Sequence, residues 1–150
     1  MGTKYRGSAA EVRALNAFIA LLRAADAVTD STHRDLGAYA LTISQFAALE
    51  ALHHCGDLCQ GDLAGKLMRS YGSVTSLLDG LERRGLLTRR RSSDDKRFVT
   101  ASLTPAGRRL VARIMPGHVR RIVKRFSVLT PLEQDRLRAI GRRLGRNDGR

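Results

Sequence analysis

Tryptophan is absent from this 150-residue chain, aromatic residues make up 5% of it, and it carries only two cysteines. Two cysteines do not build a disulfide framework, and a chain of this length buries a core without disulfide or metal staples. No apolar run approaches the roughly 20 residues that a membrane span needs, and the N-terminus lacks a secretory apolar segment. The expected location is the cytoplasm, with no membrane partner. Acids are scarce too: 14 Asp and Glu stand against 27 Lys and Arg, a formal net charge of +13. What is present, 43% hydrophobic and 27% charged residues, is the composition of a globular single domain.

The positive charge is concentrated. Between Arg83 and Arg125 there are fourteen Lys or Arg against only Asp94 and Asp95, so about twelve of the thirteen excess charges lie there. A localised basic field points to a polyanionic partner, most commonly nucleic acid. An acidic membrane surface is the competing reading, but it usually comes with an aromatic or Leu-rich amphipathic face. The scarcity of aromatics favours nucleic acid.

Helix signals dominate the chain. Ser8-Ala9-Ala10-Glu11 has capping-box spacing, and Val12, Leu15, Ile19 and Leu22 follow at helical period, predicting a first helix to about Val28. Residues 29–41 read as a short helix with loop. Thr42-Ile43-Ser44-Gln45 opens a second helix that Gly56 stops. A short helix is expected from about Gln60 to Met68, then a turn at Arg69-Ser70-Tyr71-Gly72. The next helix, with Val74, Leu77, Leu78 and Leu81 inward, ends at Gly85. That succession is a helix-turn-helix pattern.

Leu86–Arg91 and Arg97–Leu103 alternate in the manner of strands around Ser92-Ser93-Asp94-Asp95-Lys96, which predicts a β-hairpin. A helix-turn-helix followed by a basic hairpin is a winged helix, far more specific than either part. Thr104-Pro105 and Thr130-Pro131-Leu132-Glu133 open two further helices, the first with a kink expected at Pro116-Gly117. The fold class expected is mainly α with a small β-hairpin wing. Residues 41–104 form the winged helix-turn-helix, and 8–40 with 105–146 form a helical dimerisation region. The apolar faces of the terminal helices exceed what the winged unit can cover, so a symmetric homodimer is expected.

On the helix after the turn, Gly72, Thr75, Ser76 and Asp79 project outward, flanked by Ser73. Small hydroxyl residues at a helix start suit close approach to phosphates and base edges, as against an ordinary solvated first turn. The candidate DNA contacts there are Ser70, Gly72, Ser73, Thr75 and Ser76, with Gln60 from the preceding helix. Arg89, Arg90, Arg91, Lys96 and Arg97 cluster about the hairpin; of these Arg89, Arg91, Lys96 and Arg97 are taken as contacts. A charge run is usually a solvated face, yet a wing needs no five cations for solubility.

Asp79 is read as the ion-pair partner of Arg83 at i,i+4, with a role in holding a wing arginine as the alternative. His53, His54, Cys55 and Cys59 lack a second ligand pair downstream, so no metal or cofactor is expected. Cys59 falls at the N-cap of the short helix, where a thiolate is favoured. It is a candidate redox thiol, weighed against a plain cap substitute. No catalytic constellation stands out, and the chain is not expected to be an enzyme.

In these stretches the chain resembles the MarR family of bacterial transcriptional regulators. The resemblance rests on Leu41-Thr42-Ile43-Ser44-Gln45-Phe46, Gln60-Gly61-Asp62-Leu63-Ala64, Val74 through Leu86, Asp95-Lys96-Arg97, and Ser102-Leu103-Thr104-Pro105-Ala106-Gly107. It implies a triangular homodimer on an inverted-repeat operator in double-stranded DNA. It also implies repression relieved by a small ligand or by cysteine oxidation. By the same resemblance Arg97 enters the minor groove and Asp95 orients it. An effector pocket would lie between the dimerisation helices and the winged unit, with Phe18, Leu22, Phe46, His53 and Met115 as its candidates. The stretch Met1–Val28 and the pair Cys59-Gln60 resemble a branch that responds to quinones, so a lipophilic, phenolic or quinone-like effector is expected. The alternative from a different class is a non-specific basic nucleic-acid-binding structural protein without an effector. Discrete footprints on inverted repeats would favour the regulator, and uniform coating of any DNA or RNA the alternative.

Overall fold

In the computed structural model, residues 2–91 and 98–145 are described. Contacts divide the chain into two units, residues 1–32 with 118–150, and residues 33–117. The expected hairpin turn, with Asp95, Lys96 and Arg97, lies outside the described residues.

Among the described residues, six α-helices and three strands follow in the order α1 (Ala9–His33), α2 (Ile43–Cys55), β1 (Leu58–Cys59), α3 (Gln60–Lys66), α4 (Tyr71–Arg83), β2 (Leu87–Arg91), β3 (Val99–Leu103), α5 (Pro105–Phe126) and α6 (Pro131–Leu144). A 3-10 helix, Arg34–Tyr39, leads from α1 toward α2. The helix starts are where the caps put them. Glu11 and Ser8 exchange bonds across the first turn of α1, and Thr42 with Gln45 and Thr130 with Glu133 form complete capping boxes.

Several expectations need correction. α1 runs five residues past Val28, because Ser31 and Thr32 bond back to the Val28 carbonyl instead of breaking the helix. α4 begins at Tyr71, with Ser70 as its N-cap, so Tyr71 and Gly72 belong to the helix and not to a turn. α5 is a single α-helix with Pro116 inside it, so the proline does not end the helix. β1 is an unexpected third strand, too short to show an alternation.

In the unit of residues 33–117 the core is built by Leu36, Phe46, Leu49 and Leu52 before α3, Leu63 on α3, and Val74, Leu78 and Leu81 on α4. Leu87, Ala101, Leu103, Val111 and Ile114 close it from the hairpin and α5. The sheet is antiparallel with order β1-β3-β2. Leu87 pairs with Leu103 and Arg89 with Ala101, so these residues share the sheet's inner face. Gly107 allows α5 to start against this unit: a Cβ there would lie 2.0 Å from the Leu86 carbonyl oxygen.

The unit of residues 1–32 and 118–150 is different. Among its described residues only Thr32 and His118 are buried. His118 Nδ1 and Arg121 Nε both donate to the Thr32 carbonyl at 3.1 Å, giving the end of α1 two partners. Phe18, Leu21, Leu22, Val119, Val123, Leu137, Ile140 and Leu144 are exposed. Among the described residues no helix is long and apolar enough to cross a membrane.

Candidate nucleic-acid interface

The first turn of α4 is open to solvent on one side and anchored on the other. Val74, Leu78 and Leu81 fix the helix in the core, leaving Ser70, Tyr71, Gly72, Ser73 and Ser76 exposed. The Ser70 hydroxyl accepts the Ser73 amide at 3.3 Å and lies 2.8 Å from the Ser73 hydroxyl. Ser76 donates weakly to the Gly72 carbonyl at 3.4 Å. Among the described residues these hydroxyls hold local bonds, which a phosphate or base edge can replace. Nothing lies within 4 Å of the space where a Gly72 Cβ would be, so the protein itself does not require glycine there.

Gln60 occupies a different place from an exposed contact. It is buried, and its Nε2 donates to Thr75 Oγ1 at 2.5 Å, while Thr75 donates to the Tyr71 carbonyl at 3.1 Å. Both side chains tie α3 to α4, behind the exposed serines. Cys59 is the N-cap of α3, its sulfur accepting the Asp62 amide at 3.3 Å, and it also pairs with Thr100 in the sheet.

The wing strand divides by its period of two. Arg89 and Arg91 share the inner face of β2, toward α4, while Arg90 points the other way. Arg89 is occupied. Its Nε and Nη2 donate to Glu82 Oε2 at 2.9 and 2.7 Å, and Nη2 also donates to Asp79 Oδ1 at 2.5 Å. Burial works against the charged guanidinium, but its bonds to the Glu82 and Asp79 carboxylates outweigh it and hold the pKa above its ordinary value. Of the two readings of Asp79, the ion pair with Arg83 is therefore corrected, and the alternative, holding a wing arginine, is what the structure has. The Asp79 carboxylate takes Arg89, and Arg83 Nε donates to the Asp79 backbone oxygen at 3.4 Å. Arg91 is exposed at the strand's end.

Between α4 and the hairpin lies an open depression of about 370 Å³, lined by Gln60, Tyr71, Thr75, Glu82, Arg89, Arg91 and Val99. Tyr71 and Glu82 were not anticipated as part of this face. Tyr71 was hidden by the misplaced helix start, and Glu82 sits in a motif legible only as helix surface.

The other candidates lie elsewhere. Phe18 and Leu22 are exposed on α1, His53 is exposed with its ring edge-on to His54, and Met115 is half-buried against the core. Phe46 has no exposed surface and is a core residue. Among the described residues no group of three His, Cys, Asp or Glu is placed to hold a metal ion.

A helix presenting small polar residues beside a basic hairpin, on a compact helix-turn-helix, defines a winged-helix DNA-binding regulator. A sequence model of the MarR family matches residues 41–99. The transcriptional regulator YkoM of Bacillus subtilis is 35% identical over 133 residues, covering 89% of this chain and 86% of that protein. MhqR, an HTH-type transcriptional regulator of the same organism, is 33% identical over 135 residues, covering 90% and 93%. The solved structure of BpsR from Bordetella bronchiseptica, whose DNA binding is regulated by 6-hydroxynicotinic acid, aligns with a TM-score of 0.78. It is 25% identical and covers 87% of this chain and 98% of its own. The chain belongs to the MarR family of transcriptional regulators.

Proposed function

We propose that two copies of this chain bind an inverted-repeat operator and repress transcription until a small hydroxylated aromatic compound releases them. The observation that carries the assembly is the uncovered apolar surface of α1, α5 and α6. Phe18, Leu21, Leu22, Val123, Ile140 and Leu144 are left exposed by the described residues of one chain. A second copy is the simplest cover, and its two-fold axis imposes the repeat on the DNA.

On each half-site the first turn of α4 enters the major groove with Gly72, Ser73 and Ser76, and Ser70 and the α4 N-terminus meet phosphate. Arg91, with Lys96 and Arg97 beyond it, supplies the cationic wing. Gln60 and Thr75 support the helix from behind, and Arg89 is withdrawn from the contact set because two carboxylates hold it. The effector class is supported by 6-hydroxynicotinic acid in BpsR, a structural relative. Phe18, Leu22, His53 and Met115 remain the residues to substitute in search of its pocket, and Cys59 is the thiol to test for oxidation or alkylation.

The test is footprinting of the purified protein on DNA it selects from a genomic library. Two protected half-sites with centres about 10 bp apart, or a multiple of that, are expected. Uniform protection of any duplex overturns the reading and favours the non-specific structural protein. Hydroxylated aromatic acids and quinones are then titrated against the footprint.

A further inference from the structure

Two acids stand where a DNA-binding surface least tolerates them. Asp79 and Glu82 lie on α4, the helix read above as entering DNA, and their side chains are 48% and 36% exposed. Each repels the phosphate backbone that the surrounding arginines attract. Their geometry shows what they do instead. Glu82 Oε1 accepts the backbone N–H of Arg89 at 2.8 Å, while Oε2 takes the guanidinium of the same residue. Asp79, one turn earlier, accepts from Nη2, the guanidinium nitrogen that Glu82 Oε2 also shares.

Because the sheet order is β1-β3-β2, β2 is an edge strand. The Arg89 amide donates to Glu82. A single carboxylate thus holds both the main chain and the side chain of the middle residue of the wing strand. The planar five-donor fork of arginine is what lets one side chain meet two carboxylates at once.

We infer that Glu82, with Asp79, is a positioning residue for DNA recognition. It fixes the wing strand against α4 through Arg89, so that groove reading and wing contact occur in one register. This inference rests on the DNA-binding face proposed above.

The consequence is a split in sign that simple charge cannot produce. Glu82→Gln removes a negative charge from the DNA face and loosens Arg89, so affinity for random duplex should rise. The salt slope there should steepen by up to about 0.9 if Arg89 gains one phosphate. Affinity for the selected site should fall, because wing and helix no longer arrive together. Discrimination between the two should drop about tenfold, comparable with one mismatched base pair.

The experiment measures binding of the parent and of Glu82→Gln, Asp79→Asn and Arg89→Lys. The two probes are a duplex selected by the parent from a random pool and a shuffled duplex of the same composition. Thermal unfolding is followed in parallel. Misfolding lowers the active fraction equally on both duplexes, so the ratio between them isolates positioning. Arg89→Lys keeps the charge but loses the fork, and it should reproduce the loss of discrimination. Combined with Glu82→Gln it should add little, since the two act through one contact. A Glu82→Gln that raises affinity for both duplexes equally overturns the inference, as do fully additive losses. The parent's own ratio tests the DNA face separately, and a parent that does not discriminate overturns both.

Discussion

At Gly107 the chain has no room for even a methyl group. The nearest atom to an added Cβ is the backbone oxygen of Leu86, whose carbonyl also accepts the Thr104 amide at 3.1 Å. Neither backbone can step aside without opening the junction between the hairpin and α5. Gly107→Ala is expected to destabilise the protein by about 1–3 kcal/mol, seen as a lower denaturant midpoint at unchanged slope. Cys59 offers a milder test. Its sulfur caps α3, so Cys59→Ala should cost about 1 kcal/mol while Cys59→Ser, which keeps an acceptor, should not. Equal stability of the two variants would show that the thiol is not acting as a cap. Arg84 works at the same scale, its guanidinium holding the Tyr39 and Ala40 carbonyls ahead of α2.

Among the elements, α4 separates stability from function at a single site. Gly72 lies in its first turn with open space where a side chain would be. In a helix interior alanine is favoured over glycine by up to about 1 kcal/mol, so Gly72→Ala should raise the melting temperature. On the DNA face proposed above the added methyl would stand in the contact, so operator affinity should fall in the same variant. Tighter DNA binding by Gly72→Ala would move the contact surface off this turn. α6 gives a pH prediction. Glu133 is held below the ordinary glutamate value of 4.5 by bonds first from the Thr130 amide and then from its hydroxyl. A lowered folded pKa means that the box stabilises above the unfolded value and is lost as pH falls through the folded one. Helicity of the parent should therefore decline on acidification more than that of Glu133→Gln, measured by far-UV circular dichroism.

For the whole molecule, the two units differ in how they bury apolar surface. Residues 33–117 enclose a continuous core, whereas no described residue of α6 is buried. If a second copy covers that surface, Ile140→Glu places a charge in an apolar contact. It should weaken dimerisation by roughly 2 kcal/mol or more, as for a central interface residue. Sedimentation would then show monomer at concentrations where the parent is dimeric, with operator binding lost alongside. An unchanged sedimentation coefficient would remove Ile140 from the interface. Ile140 is not part of the core of residues 33–117, so circular dichroism should retain that unit's helical signal.

The sequence by itself determined the parts whose physics is local. Capping at Ser8, Thr42 and Thr130 depends on residues three positions apart, and the inward rows of α2 and α4 follow from a 3.6-residue period. The alternation of the hairpin, the charge imbalance and the ordered motifs are likewise properties of the chain before it folds. Tertiary structure alone decided the long-range pairings. Leu58-Cys59 is a strand only because β3 lies beside it, and two residues carry no period of their own. Gln60 is buried because Thr75, fifteen residues on, takes its amide, although a polar residue at a helix start reads as exposed. Asp79 has Arg83 one turn away on its own helix, yet the hairpin returns Arg89 to its carboxylate at closer range. Sequence spacing ranks partners along one helix, but which charge arrives across from it is set by how the chain folds back.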